Sequence, residues 1–239
     1  MTDFHSHILP NVDDGSKSIE ESVKLLEECK KQQLENIILT PHFYPSDEDL
    51  KSFKTRTSLA FKNFLKEIEN KDLPNIILGT EVLYFTGLGH SSRVNKLCIG
   101  SSRFILLELY GALFDKRFFE DIIYMINKRK VIPIIAHIER YSNFRNFKGF
   151  LSFCSLHNIP VQINAESFLG WSSRRVVSKL LKADVFCVLS TDTHSLEHRP
   201  PRHEEALCMI ERKFGTEIKE RFLSNADSLF QSIIGDTDD

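Results

Sequence analysis

Nine side chains able to bind a metal ion follow apolar runs along the chain: His5, His7, Asp14, His42, Glu81, Glu108, His137, Asp192 and His194. Five imidazoles and four carboxylates brought to one face could not rest there unaided, because packed carboxylates repel one another and raise their own pKa values unless cations neutralise them. The mixture of nitrogen and oxygen donors suits manganese, iron or zinc better than calcium, whose sites are built from oxygen; magnesium is a further candidate. Nine donors exceed the needs of one ion and fit two or three ions with bridging carboxylates. Three divalent ions would bring about +6 against about −4 from the carboxylates, a positive well that attracts a phosphate dianion and acidifies a water. The chemistry indicated is phosphoester hydrolysis. Arg140, shortly after His137, and Arg199, shortly after His194, stand where guanidinium groups could clamp phosphate oxygens, whereas Arg202 reads equally well as a helix-start charge.

Residues so scattered converge only in a fold that gathers the ends of its strands. Seven short β-rich runs are expected at 2–5, 36–40, 75–79, 104–109, 131–136, 160–163 and 185–189. Amphipathic segments separate them. The first starts at Ser18, which pairs with Glu21 as a capping box ahead of Ile19, Val23 and Leu26. Further helices are expected over 50–68, 118–130, 147–157, 172–181 and 201–214, the last entered through Pro200 and Pro201. Strands alternating with helices imply a parallel sheet, and seven such units favour a closed or nearly closed α/β barrel over a doubly wound open sheet. In either fold the carboxyl ends of the strands form the site face, and every predicted strand is followed by one of the polar groups above or, after the sixth, by Asn164.

Composition narrows the functional classes. The chain of 239 residues, 41% hydrophobic, suits one domain with one core. With 31 Lys+Arg against 33 Asp+Glu, a net charge of −2 lacks the basic surplus of a nucleic-acid surface. No apolar run approaches the roughly 20 residues of a membrane span, and the N-terminal residues do not read as a secretory signal, so a cytoplasmic protein is expected. Cys29, Cys98, Cys154, Cys187 and Cys208 lack CxxC spacing and read as reduced, mostly buried thiols. Of the nine histidines, His90, His157, His198 and His203 fall in helices or loops without acidic company. After Gly215 one or two closing helices and a frayed acidic tail, 236–239, are expected.

The segment from Asp3 through His5, His7 and Asp14-Gly15 to Glu20-Glu21-Ser22 resembles the opening of the bacterial capsule-type, manganese-dependent tyrosine-protein phosphatases of the polymerase and histidinol phosphatase (PHP) superfamily. Later segments agree in order: Thr40-Pro41-His42, Gly79-Thr80-Glu81, Leu107-Glu108, the run from Ile135 to Tyr141, Gln162-Ile163-Asn164-Ala165, and Asp192-Thr193-His194 followed by Arg199-Pro200-Pro201. The resemblance implies a distorted (β/α)7 TIM-like barrel, the PHP fold, with a trinuclear site. It implies that His5, His7, Glu81 and Asp192 hold one ion, that Glu81, Glu108 and His137 hold a second, and that Asp14, His42 and His194 hold the third. It also implies a substrate, the phosphotyrosine-bearing tail of a bacterial tyrosine autokinase that regulates capsule or exopolysaccharide synthesis. Glu166 and Ser195 depart from the residues common in that family and fall on the pocket rim.

On this reading a metal-bridging hydroxide attacks phosphorus in line, with Arg140 and Arg199 stabilising the equatorial oxygens. The cysteine route to tyrosine dephosphorylation needs Cys-x5-Arg, and Cys98 and Arg103 are one residue too close. Histidinol phosphate, hydrolysed on the same superfamily scaffold, is the alternative substrate, and a metal-binding module without turnover is the non-enzymatic one. The apolar positions of the helix from Ser18 serve equally for packing on the barrel or for assembly into a homo-oligomer.

Overall fold

The computed structural model describes residues 1–109, 114–170 and 173–235. The expected acidic tail, 236–239, and Ser172 at the start of one expected helix lie outside them. Nine strand segments occur among the described residues: β1 (Thr2–Ser6), β2 (Asn36–Leu39), β3 (His42–Phe43), β4 (Asn75–Leu78), β5 (Glu81–Leu83), β6 (Phe104–Glu108), β7 (Ile132–Ile135), β8 (Val161–Asn164) and β9 (Cys187–Ser190). All named pairings are parallel, in two sheets of order β1-β2-β4 and β3-β5-β6-β7-β8-β9.

The two segments beyond the expected seven, β3 and β5, resume the lines of β2 and β4 after short breaks at Thr40-Pro41 and Gly79-Thr80. Pro41 has no N–H for the ladder, yet its carbonyl accepts from Glu81 N (3.1 Å), so the lines stay side by side while changing sheets. The open edges meet at β1 and β9: Asp192 N donates to His5 O (2.9 Å) and His7 N to Thr193 O (2.7 Å). Buried Asp3 reinforces this seam by accepting from the backbone N–H (3.0 Å) and hydroxyl of Thr191. Seven strand lines therefore form a distorted, nearly closed barrel.

Around it run α1 (Ile19–Lys31), α2 (Leu50–Ile68), α3 (Lys116–Tyr124), α4 (Phe147–Leu156), a short α5 (Glu166–Leu169), α6 (Ser173–Lys182), α7 (His203–Phe214) and α8 (Thr216–Gly235). Ser18 caps α1 as expected, accepting from Glu21 N (3.1 Å), but Glu21 reaches back to Lys17 N (2.8 Å) rather than to Ser18. The helix expected at 118–130 starts earlier and loosens into a wide turn over Met125–Arg129, ending at Lys130 with φ 60°. Among the described residues a single helix, α8, follows Gly215. It lays Ala226, Leu229 and Ile233 against Phe4, Ile38, Leu106, Ile134 and Val188, one residue from each of five strands. Because side chains alternate along a strand, Glu108 stands on the same side of β6, two residues beyond Leu106. The apolar layer thus carries the polar one. No helix among the described residues is long and apolar enough to cross a membrane.

Candidate metal centre

Glu81, fully buried at the start of β5, occupies the middle of the polar layer. Its Oε2 lies 3.2 Å from His5 Nε2, 3.3 Å from His7 Nε2 and 2.8 Å from His42 Nδ1, and its Oε1 lies 2.8 Å from His137 Nε2. Asp192 Oδ1 is 3.5 Å from both His5 and His7 Nε2. Asp14 Oδ1 is 3.4 Å from His42 Nε2 and from His194 Nε2, and Glu108 Oε1 is 3.6 Å from His137 Nε2. The structure thus brings together all nine residues singled out from the sequence. His42 and Glu81, however, do not trail β2 and β4. They open the short strands β3 and β5, which turns their side chains inward.

Local backbone geometry aims the ligand candidates. One extra residue on β1 relative to β2 between Asp3 and Ser6 forms a bulge in the stretch that carries His5. His137 (φ 40°) and Asp192 (φ 54°) both adopt the left-handed conformation, a cost of about 1–3 kcal/mol each that concentrates at functional sites. Gly15, beside Asp14, has no room for a side chain: a Cβ would stand 2.0 Å from His7 O.

Residues outside the nine fix the imidazoles. Asp13 Oδ2 lies 2.8 Å from His7 Nδ1, Gln162 Oε1 lies 3.2 Å from His5 Nδ1, and Asn164 Oδ1 lies 3.4 Å from His137 Nδ1; His194 Nδ1 meets Asp192 O at 2.9 Å. These oxygens accept, so each Nδ1 carries hydrogen and Nε2 is turned to the cluster with its lone pair. Asn164 Nδ2 also donates to Asp192 Oδ2 (2.7 Å), and Gln162 Nε2 to Asn164 Oδ1 (2.8 Å). Sequence reasoning noted Asn164 only as the polar group after the sixth strand and passed over Asp13 and Gln162 as site residues. The signal was the spacing of two between Gln162 and Asn164 in an otherwise apolar strand.

The cluster's electrostatics are those of a site built for added cations. Burial disfavours charge on His7, but its hydrogen bond to Asp13 and the nearby Glu81 carboxylate push it up to about 9; burial is likewise outweighed at His42 and His137, both pushed up to about 10 by neighbouring carboxylates. Despite burial, the surrounding imidazoles hold Glu81 and Asp192 well below the usual carboxylate range, and hydrogen bonds from His194 and His42 do the same for Asp14. Both oxygens of Glu81, together with His137 Nε2 and His42 Nδ1, are nonetheless buried without a hydrogen bond. Unsatisfied groups of this kind are costly unless something else engages them. Donor atoms lie within 4.8 Å of one another in four overlapping sets: His7, Asp14, His42 and His194; His5, His7 and Glu81; His5, His137 and Asp192; His42, Glu81 and Glu108. A mixed nitrogen and oxygen set of this kind fits divalent transition ions.

At the rim, Arg140 Nη2 donates to Asp192 Oδ2 (2.9 Å), with Nη1 3.9 Å from Glu108 Oε1. Arg199 Nη2 donates to the same Asp192 oxygen while its Nη1 meets His194 Nε2 at 2.8 Å. Both guanidiniums are partly exposed. Ser195 supports the Arg199 loop, its Oγ accepting from His198 N (3.1 Å) and its backbone bridging to Arg199. Arg202 remains exposed at the entry of α7, and Glu166 is exposed at the start of α5.

The remaining expectations divide. Cys29, Cys98, Cys154 and Cys187 are buried free thiols, and burial pushes Cys98 up to about 12, which disfavours a thiolate; Cys208 is exposed. Contrary to expectation, His90 has acidic company: its Nδ1 lies 2.9 Å from buried Asp121 on α3, which also accepts from Gly87 N (3.1 Å) and so ties the segment after β5 to that helix.

A nearly closed parallel barrel thus carries an imidazole and carboxylate cluster at its strand ends. The chain belongs to the capsular polysaccharide synthesis family CpsB/CapC, whose family model matches residues 1–231. It is similar to the tyrosine-protein phosphatase YwqE of Bacillus subtilis, 26% identical over 239 residues (97% of this chain and 92% of the relative). It is also 29% identical over 239 residues to the tyrosine-protein phosphatase CpsB of Streptococcus pneumoniae, covering 94% of this chain and 96% of the relative. Among solved structures it shares its fold, with TM-score 0.78 and 24% identity over 98% of this chain and 95% of the other, with one of the crystal structures of YwqE and CpsB described as unique metal-dependent tyrosine phosphatases.

Proposed function

We propose that this chain is a metal-dependent protein-tyrosine phosphatase that acts in the cytoplasm on the phosphotyrosine-bearing tail of a bacterial tyrosine kinase in capsule or exopolysaccharide synthesis. Family membership and relatives named as tyrosine-protein phosphatases support this reading. The observation that carries it is Glu81: a fully buried carboxylate among four imidazoles, with neither oxygen hydrogen-bonded, has the surroundings of a metal ligand.

Three divalent ions, manganese foremost, would be held by His5, His7, Glu81 and Asp192, by Glu81, Glu108 and His137, and by Asp14, His42 and His194. The overlap of the donor sets, in which His7 also stands beside Asp14, His42 and His194, suits ions close enough to share ligands. When bound, the ions supply positive charge for the phosphoryl oxygens and lower the pKa of the attacking water. The chain's own residues do the rest. Asp13, Gln162 and Asn164 hold three imidazoles in the orientation that presents Nε2. Arg140 and Arg199 stand at the mouth on a shared Asp192 oxygen, from which each guanidinium can turn to two phosphoryl oxygens at once. A tyrosinate leaving group, with a parent pKa of about 10, needs less help from a proton donor than an alkoxide does.

Parallel assays of a phosphotyrosyl peptide and histidinol phosphate in manganese test the substrate assignment. The peptide is expected to release phosphate with the larger kcat/KM, and alkylation of the thiols is expected to leave the rate intact. Preferential turnover of histidinol phosphate would overturn the assignment, and loss of activity on alkylation in protein that keeps its metal would overturn the mechanism.

A further inference from the structure

Phe43 turns into the core, its ring centroid 4.9 Å from that of Phe53, while His42 and Tyr44 on either side of it share the opposite face. The Tyr44 ring lies over the His42 imidazole, centroids 5.0 Å apart and planes inclined by 21°. One side of the phenol is therefore occupied, and the half-buried remainder borders a cleft of about 360 Å³ that Asp13, Asp14, His42 and Arg56 also line. This is within the size range of small-ligand sites.

The backbone at Tyr44 is held in place. Its carbonyl oxygen accepts from Asp47 N (3.0 Å) and Glu48 N (3.3 Å), and Arg56 donates both to Glu48 and to the carbonyl of Val12 on the opposite wall. Arg140 and Arg199 approach the cluster from the Asp192 side, so the cleft opens on the other, between Asp14 and His42. A phosphoryl group drawn to the donors and arginines would direct its ester substituent into this cleft.

We infer that Tyr44 determines substrate specificity, its ring being the wall on which the aryl group of a phosphotyrosyl ester stacks, so that aryl phosphates are preferred to alkyl phosphates. The inference rests on the phosphatase function proposed above. A planar aryl ring gains an offset or edge contact with a fixed aromatic wall beyond the area it buries, and an alkyl chain does not. Because the wall is already ordered, little of that gain is lost to immobilising it.

The test titrates phenylphosphonate and methylphosphonate into manganese-loaded wild type, Tyr44→Ala and Tyr44→Phe by calorimetry, alongside kcat/KM for phosphotyrosyl and phosphoseryl peptides of one sequence. Tyr44→Ala should lower the aryl preference about three- to tenfold, through Kd and KM, with metal content equal to wild type. Tyr44→Phe should keep the preference, since the ring face and not the hydroxyl makes the contact. An unchanged preference in Tyr44→Ala would overturn the inference, as would loss of bound manganese in that variant, which would make the ring a prop for His42. If wild type releases no phosphate from the phosphotyrosyl peptide, it is the phosphatase reading that fails, and the phosphonate titration still reports on the ring.

Discussion

Asp13 Oδ2 stands 2.8 Å from His7 Nδ1 and accepts a hydrogen bond from His42 N (3.2 Å), so one carboxylate orients two candidate ligands without joining them. Burial works against its charge, yet His7 holds Asp13 below the usual carboxylate range. Partners of this kind typically govern 10–100-fold in metal affinity. Asp13→Asn should therefore weaken manganese binding by about that factor, measured by calorimetry. Affinity equal to wild type would show that His7 needs no such support.

Gly15→Ala tests the turn beside Asp14 differently. A Cβ placed 2.0 Å from His7 O cannot be absorbed by a side-chain adjustment, so the turn must move and take Asp14 with it. Elemental analysis should then find about one metal equivalent fewer than in wild type. A full complement would mean that Asp14 is not needed to hold an ion.

The nine candidate ligands were legible because each accompanies an apolar run that is itself readable as a strand, and a barrel brings such ends together. β3 and β5 were not legible as strands, since two or three residues are too few for periodicity to register and Pro41 or Gly79-Thr80 breaks the line. Asp13 was overlooked beside Asp14 because adjacent carboxylates are indistinguishable until the turn points one at Nδ1 of His7 and the other at Nε2 of His42. The stacking of Tyr44 on His42 left no mark in composition, because it depends on Phe43 taking the core side of β3.

Arg140→Ala and Arg199→Ala should each lower kcat/KM for a phosphotyrosyl peptide about 10- to 100-fold, the worth of a hydrogen bond to a charged group, chiefly through KM. Metal content should persist, because neither residue is a donor. Steady-state kinetics with metal analysis separates this from a structural role, in which Asp192 would be released and its metal lost.

His203, buried at the start of α7, has its Nδ1 without a hydrogen bond, and burial, with the N-terminal ammonium nearby, pushes it down to about 4. Its folded pKa lies below its unfolded value of 6.5, so between these values the unfolded chain binds more protons and stability rises with pH. That contribution is complete above 6.5 and is lost as pH falls towards 4, about 2 kcal/mol by pH 5. Chemical denaturation of wild type and His203→Gln in one metal-free buffer series should show the variant losing less stability over that range. Parallel pH profiles for the two proteins would contradict it.

The most direct test of the central claim is phosphate release from a phosphotyrosyl peptide by protein stripped with chelator, before and after manganese is returned, for wild type and Glu81→Gln. Wild type should be inactive when stripped and recover with manganese, while Glu81→Gln, deprived of the charge between four imidazoles, should bind less manganese and stay inactive. Full turnover by the stripped wild type, or by Glu81→Gln, would contradict a metal centre built on that carboxylate.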